Sequence, residues 1–183
     1  MRIRLSVVAA GLAAAWVWSG AAAAELSAAA RGKVEAKVAA MKALASDPAV
    51  VAAVKTYNAA PPAAAKAMTQ EQWKALSVLD PAVRAYTKNA AAAALKAKRD
   101  ETVTEAFVSG ADGGKVAFLS KPSNWSHKGK DKHAQPMGGR VWIGPVEVDD
   151  STGQEQVQVA VPVLDGGRPA GSLVVGLAVG KLK

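Results

Sequence analysis

Both histidines of this 183-residue chain, His127 and His133, fall in one polar stretch that also carries Trp125, Lys128, Lys130, Asp131 and Lys132. Imidazole titrates near neutrality and a lysine beside it is a fixed cation, so this combination suits a carboxylate or other anion. Trp125 would wall or stack in such a pocket, with His127 and Lys128 or Lys130 meeting the charge. The same composition also describes a solvated surface loop anchored in the core by Trp125. His127, Asp131 and His133 are good ligand types for zinc, copper or nickel, yet their spacing in a glycine-containing loop fixes no geometry, and no further ligand is nominated. No metal site and no cofactor are therefore expected.

Catalysis finds little support. The chain has no Gly-x-Ser-x-Gly elbow, no His-Glu-x-x-His helix, no phosphate-cradling glycine loop and no dinucleotide fingerprint. A nucleophile built from Ser123 or Ser126 with His127 would need an orienting third group and an oxyanion site, which the sequence does not specify. Glu105 is the more informative acid. Alternation places it with Val103 and Phe107 on one strand face, pointing to an apolar surface, where a carboxylate must have a partner. Gln156 and Gln158 share a face of another strand, and Trp142 opens the strand after the polar stretch. Glu105, Trp125, His127, Lys130, Trp142 and Gln158 form the candidate ligand-binding set, with no catalytic residues among them.

The elements that must position these residues change character once along the chain. From Leu26 to about Asp100 the sequence is alanine-rich with helical periodicity. Val34, Val38, Met41 and Ala45 make one apolar face, and Val50, Val51, Val54 and Tyr57 a second. Asp47-Pro48 and Asp80-Pro81 each read as a cap followed by proline at the first helical position. Thr69-Gln70-Glu71-Gln72 matches a capping box opening a helix with Trp73, Leu76 and Leu79. A fourth helix is expected through Tyr86 and the Ala90 to Ala94 tract to about Lys98.

After Asp100 the period becomes two. Thr102 to Val108, Lys115 to Leu119 and Val141 to Val146 read as strands, and Ser120 to Gly139 as a loop. Val157, Val159, Val161 and Val163 alternate with Gln156, Gln158, Ala160 and Pro162. Asp165-Gly166-Gly167 then turns the chain into Gly171 to Val179. Helices first and strands afterwards is the order of an α+β domain with an antiparallel sheet.

At the N-terminus, Arg2 and Arg4, the apolar run Leu5 to Trp18, and Ala22-Ala23-Ala24 describe a cleavable secretory signal peptide, with maturation expected near Glu25. The expected organisation is a signal peptide over 1–24, a helical region over 25–100 and a sheet region over 101–183, with a periplasmic destination. There are no cysteines, which excludes disulfides and thiolate metal or haem attachment. The net charge of +8 is dispersed, without basic and aromatic residues interleaved on a recognisable module, so nucleic acid is not an expected partner.

Read with Ser151-Thr152-Gly153, the closing hairpin from Val157 to Val179 resembles that of the PAS-like extracytoplasmic sensor domains called Cache or PDC domains. The stretch from Asp47 through Asn58, with the Leu79-Asp80 turn, resembles the helical preamble of their stand-alone periplasmic forms. The resemblance implies a five-stranded antiparallel PAS-like sheet packed by N-terminal helices, with the loop from Ser120 to Gly139 as a lid over a ligand pocket. Many similar proteins carry there a Ser/Thr-Asp-Tyr-Trp stretch followed by an acidic Gly-Asp-Glu. Here Ser123-Asn124-Trp125 keeps the polar-polar-aromatic order, while Lys128-Gly129-Lys130-Asp131 is mainly basic. The implied function is non-catalytic binding of a small molecule, an organic acid or amino acid. The alternative is a structural or interaction module that acts on a membrane signalling partner without a ligand of its own.

Overall fold

Asp47 and Asp80 start their helices in the same way: each carboxylate accepts a hydrogen bond from the backbone N–H two residues on, at 2.8 Å, and a proline occupies the first turn. The structure, a computed structural model, describes residues 26–148 and 153–182. The signal peptide expected over 1–24, and Ser151-Thr152 of the hairpin motif, lie outside those residues. Among the described residues no helix is long and apolar enough to cross a membrane.

Six helices precede the sheet: α1 (Ala28–Ala45), α2 (Pro48–Ala59), α3 (Ala63–Ala67), α4 (Gln70–Ala75), α5 (Pro81–Ala85) and α6 (Ala90–Ala97). The capping box at α4 is formed, Thr69 and Gln72 each bonding the other's backbone N–H. Two expectations for this half are corrected. The helix carrying Trp73 ends at Ala75; Leu76 turns extended and Leu79 is exposed, because the Ser77 hydroxyl captures the Leu79 N–H in a turn. The expected continuous helix through Tyr86 is two helices. Asn89 interrupts it by capping α6 at Ala92 N (2.9 Å) while donating to Val116 O (2.8 Å), and Tyr86 O accepts Phe118 N–H at 3.2 Å. The break therefore docks the helices on strand backbone.

The strands are β1 (Val103–Gly110), β2 (Lys115–Phe118), β3 (Trp142–Val148), β4 (Glu155–Asp165) and β5 (Arg168–Ala178). They form one five-stranded antiparallel sheet in the order β2-β1-β5-β4-β3, as the change of period near Asp100 predicts. The β4–β5 turn uses Gly166 and Gly167 at positive φ, +57° and +81°, where other residues are strained. One face of the sheet, with Ala106, Val108, Val157, Val159, Val161, Val163, Leu173, Val175 and Leu177, packs under α1, α2 and α6 through Val34, Met41, Val50, Val54 and Leu95. The other face carries Glu105, Phe107, Ser109, Gln156, Gln158, Ala160, Ser172, Val174 and Gly176, as the cross-strand register requires.

That second face is covered too. The segment expected as a loop from Ser120 to Gly139 contains a helix, α7 (Asp131–Met137), which packs against β3, β4 and β5. It lacks an apolar helical period and holds Pro136 in its interior, which is why it does not read as a helix. A further correction concerns Val103. A register shift between Val103 and Glu105 pairs Val103 with Leu177, so Val103 leaves the face that Glu105 shares with Phe107.

Candidate functional site

Glu105 has the partners that its position demands. Its Oε1 accepts from Gln156 Nε2 at 3.2 Å and from Gln158 Nε2. The Gln158 carbonyl in turn accepts from Lys132 Nζ on α7, and the Gln156 carbonyl accepts from Thr104. Gln156 and Gln158 are thus buried ladder residues, 3% and 8% exposed, instead of glutamines on an open face. Gly176 makes room for them. A Cβ there would stand 2.5 Å from Thr104 Oγ1, 2.6 Å from Gln156 Oε1 and 2.8 Å from Glu105 Cγ.

One strand over, Lys115 is fully buried at the start of β2. Its Nζ lies 2.6 Å from His127 Nδ1, 3.4 Å from Ser109 Oγ and 4.7 Å from the Phe107 ring centre, while His127 stacks on Phe107 at 4.9 Å. Burial, reinforced by Lys132, lowers the Lys115 pKa to about 7, against the pull of Glu105 and Asp112. Burial and then Lys115 hold the His127 imidazole far below its ordinary value, so it is neutral. Burial also lowers Lys132, opposed by Glu105 and Glu147. His133 is lowered chiefly by burial. Its Nε2 lies 3.3 Å from Ala111 O, which only accepts, and its Nδ1 lies 3.0 Å from Ser172 Oγ. Both nitrogens of His133 are engaged, and among the described residues no group of three potential metal ligands converges.

The segment that closes over this face is fastened along its first part. Trp73 Nε1 donates to Pro122 O at 2.7 Å, Gln70 Nε2 donates to Ser123 O at 2.8 Å, and Gln70 Oε1 accepts Trp125 N–H at 2.9 Å. Beyond the indole, His127 N–H donates to Gly113 O at 3.1 Å. Gly113 has φ +82°, and a Cβ there would collide with the Lys128 backbone. Asn58 at the end of α2 steadies the same turn through Ala111 N–H (2.9 Å), as Tyr57 does through Asp112 (3.1 Å).

Between this cover and the sheet lies a cavity of about 320 Å³, walled by Phe107 and lined by Glu105, His127, Lys132, Gln156 and Gln158, together with Glu147 and residues 120–124. Its size and mixture of one aromatic wall with a few placed polar groups suit a small polar ligand. Other cavities among the described residues include two of different character. One of about 430 Å³ lies at the sheet end around Arg99, Asp100, Glu101 and Lys181, and has no convergent buried groups. One of about 150 Å³ lies between α1, α6 and the helical face of the sheet.

Of the six residues selected from sequence, Glu105, His127 and Gln158 meet at the 320 Å³ cavity. Trp125 is buried outside its lining, with its ring centre 5.1 Å from that of Trp73 and 5.6 Å from that of Tyr86. Lys130 is exposed at the N-cap of α7, and Trp142 is half-buried on β3 against Gly144; neither lines the cavity. Lys115, Lys132 and Gln156 complete the polar arrangement. Lys132 was visible only as one lysine among several in a basic segment. Lys115 carries no local signal, because the residues that bury it come from elsewhere in the chain.

No protein-family model matches the chain, and no curated protein matches it. Several solved structures are similar to it. The ligand-binding domain of the Pseudomonas aeruginosa PAO1 amino acid chemoreceptor PctC, in complex with GABA, is 13% identical with a TM-score of 0.47, over 82% of this chain and 56% of that one. The sensor domain of the V. cholerae histidine kinase DctB is 11% identical with a TM-score of 0.45, over 84% and 55%. The ligand-binding domain of the Campylobacter jejuni chemoreceptor Tlp3 in complex with L-norvaline is 14% identical with a TM-score of 0.42, over 84% and 56%. This chain spans little more than half the length of these three.

Proposed function

We propose that this chain is an exported PAS-like domain of the Cache (PDC) sensor type that binds a small organic acid or amino acid and does not transform it. The observation that carries the proposal is the convergence of Glu105, Gln156, Gln158, Lys132 and His127 on one cavity beneath a fastened cover. The groups suit both ends of an amino acid: Glu105 offers a carboxylate to an ammonium, while Lys132 and His127 offer positive charge and a donor to a carboxylate. Among the described residues the hydrogen bond of the His127 ring runs to Lys115, and none runs to a serine or threonine hydroxyl that could serve as a nucleophile. In this reading, Trp125 supports the cover through the Trp73 cluster and is not itself a wall of the pocket.

A specific observation favours the competing interaction module: Trp125 fills core, as a domain without a ligand would have it. The cavity beneath the cover is what that alternative leaves unused. A thermal-shift screen of the purified protein against carboxylates, amino acids, purines and divalent metals separates the two. Stabilisation by a carboxylate or amino acid, lost in folded Gln158→Leu and Glu105→Gln proteins, is the expected result. Failure of every carboxylate and amino acid to shift the melting temperature would give the advantage to the interaction module, whose membrane partner would then be sought by capture. Export is tested separately by the intact mass of protein recovered from the periplasm, expected to begin near Glu25.

A further inference from the structure

The buried Lys115 has no carboxylate within ion-pairing distance among the described residues. Its neighbours are a hydroxyl, an aromatic face and an imidazole nitrogen. A cation placed there without a counter-charge is unfavourable unless something supplies one. An ammonium only donates, so while Lys115 is protonated the His127 Nδ1 must accept. The neutral ring then carries its hydrogen on Nε2, the nitrogen left to the cavity that His127 lines.

We infer that the cavity floor is an anion subsite, in which buried Lys115 fixes the His127 ring as an Nε2–H donor to a ligand carboxylate oxygen and receives its missing counter-charge from that carboxylate. This deepens the binding function proposed above and rests on it. Lys115 acts through His127 and is a positioning residue, because His127 lines the cavity and Lys115, in contact with its Nδ1, does not. The charged and titratable groups facing it are Lys132 and His133 from α7, Glu105 from β1 and Asp112 from the β1–β2 turn. Glu105 is already engaged by two glutamine amides, and Asp112 by the Tyr57 hydroxyl and the Gly114 N–H. Neither carboxylate lies within ion-pairing distance of Lys115, and Lys132 adds like charge. An arriving carboxylate would favour the ammonium form, so above neutrality binding takes up a proton, which the chain releases again on dissociation.

Two measurements test this. Nitrogen-15 histidine NMR of the free protein, in mildly acidic buffer below the Lys115 pKa of about 7, is expected to show His127 neutral and protonated on Nε2. An Nδ1-protonated ring or an imidazolium would overturn the inference. Calorimetric titration with succinate, L-alanine and succinamide, above neutrality in buffers of different ionisation enthalpy, is expected to show proton uptake with the two carboxylates and none with the uncharged amide. Lys115→Met, checked for folding by its melting temperature, is expected to weaken the carboxylates by about tenfold and to abolish the uptake. Unchanged carboxylate affinity in that folded variant, or no uptake in the wild type, would overturn the anion subsite. If none of the probes binds the wild type, the binding function fails and the subsite with it, while the NMR result still decides whether Lys115 fixes the ring.

Discussion

Trp73 Nε1 donates to the Pro122 carbonyl at 2.7 Å in a fully buried setting, so a side chain of α4 holds the backbone at the start of the cavity cover. Trp73→Phe keeps most of the aromatic packing and orphans that carbonyl. It should destabilise the protein by about 1–3 kcal/mol, the scale of an unsatisfied buried acceptor. Hydrogen exchange should accelerate at residues 120–125 ahead of the sheet. Uniform acceleration over sheet and cover would refute the fastening role.

Gly176→Ala places a methyl group among Thr104, Gln156 and Glu105, none of which can move without breaking another's hydrogen bond. Overpacking on this scale costs about 1–3 kcal/mol. The variant should also lose any ligand that requires Glu105. Wild-type stability and binding in Gly176→Ala would mean that the polar ladder rearranges freely.

Trp125→Ala should lower stability by about 3–5 kcal/mol, the range for emptying a buried aromatic site. The loss comes from packing against Trp73 and Tyr86, so binding should fall only as far as the cover loosens. Chemical denaturation paired with calorimetry at a temperature where the variant is folded checks this. Abolished binding with unchanged stability would place the indole in the ligand site.

The pH dependence has a definite sign. His127 and His133 are bases whose folded pKa values are depressed, so below their ordinary value of 6.5 the unfolded chain binds protons that the folded chain does not. Stability should fall as pH drops through that value, by up to about 1.4 kcal/mol per pH unit for each ring. Lys115 works in the alkaline range. Its folded pKa of about 7 lies below the ordinary 10.5, so stability should rise from neutrality toward that value. Urea melts across this range check both limbs. Lys115→Met should flatten the alkaline rise and leave the acid fall; an unchanged alkaline limb would show that Lys115 stays protonated in the fold.

Much of this architecture was legible in the sequence because its signals are local. The alternation of Val157 to Val163, the turn glycines Gly166 and Gly167, and the Asp-Pro caps each depend on residues a few positions apart. The need of Glu105 for a partner followed from its place beside Phe107, and the glutamine pair was recognisable as sharing one face. What escaped depends on distant segments. The buried state of Lys115 is created by His127 and the α7 cover, and α7 itself is held by the His133 bond to Ser172 instead of an apolar period of its own. Trp125 could be read as core or as pocket wall, and only the Trp73 and Tyr86 rings decide its side.

The place of β5 at the centre of the sheet also governs how the domain assembles. The β1–β2 and β3–β4 pairs share no edge; each gains its second neighbour only when residues 168–178 slot between β1 and β4. Val103 must find Leu177, and Gly110 must find Gly171, across nearly all of the intervening sheet sequence. Pairings of such long range close slowly. Until then two strand edges stand open to neighbouring molecules, and a nascent or truncated chain without β5 should associate through them.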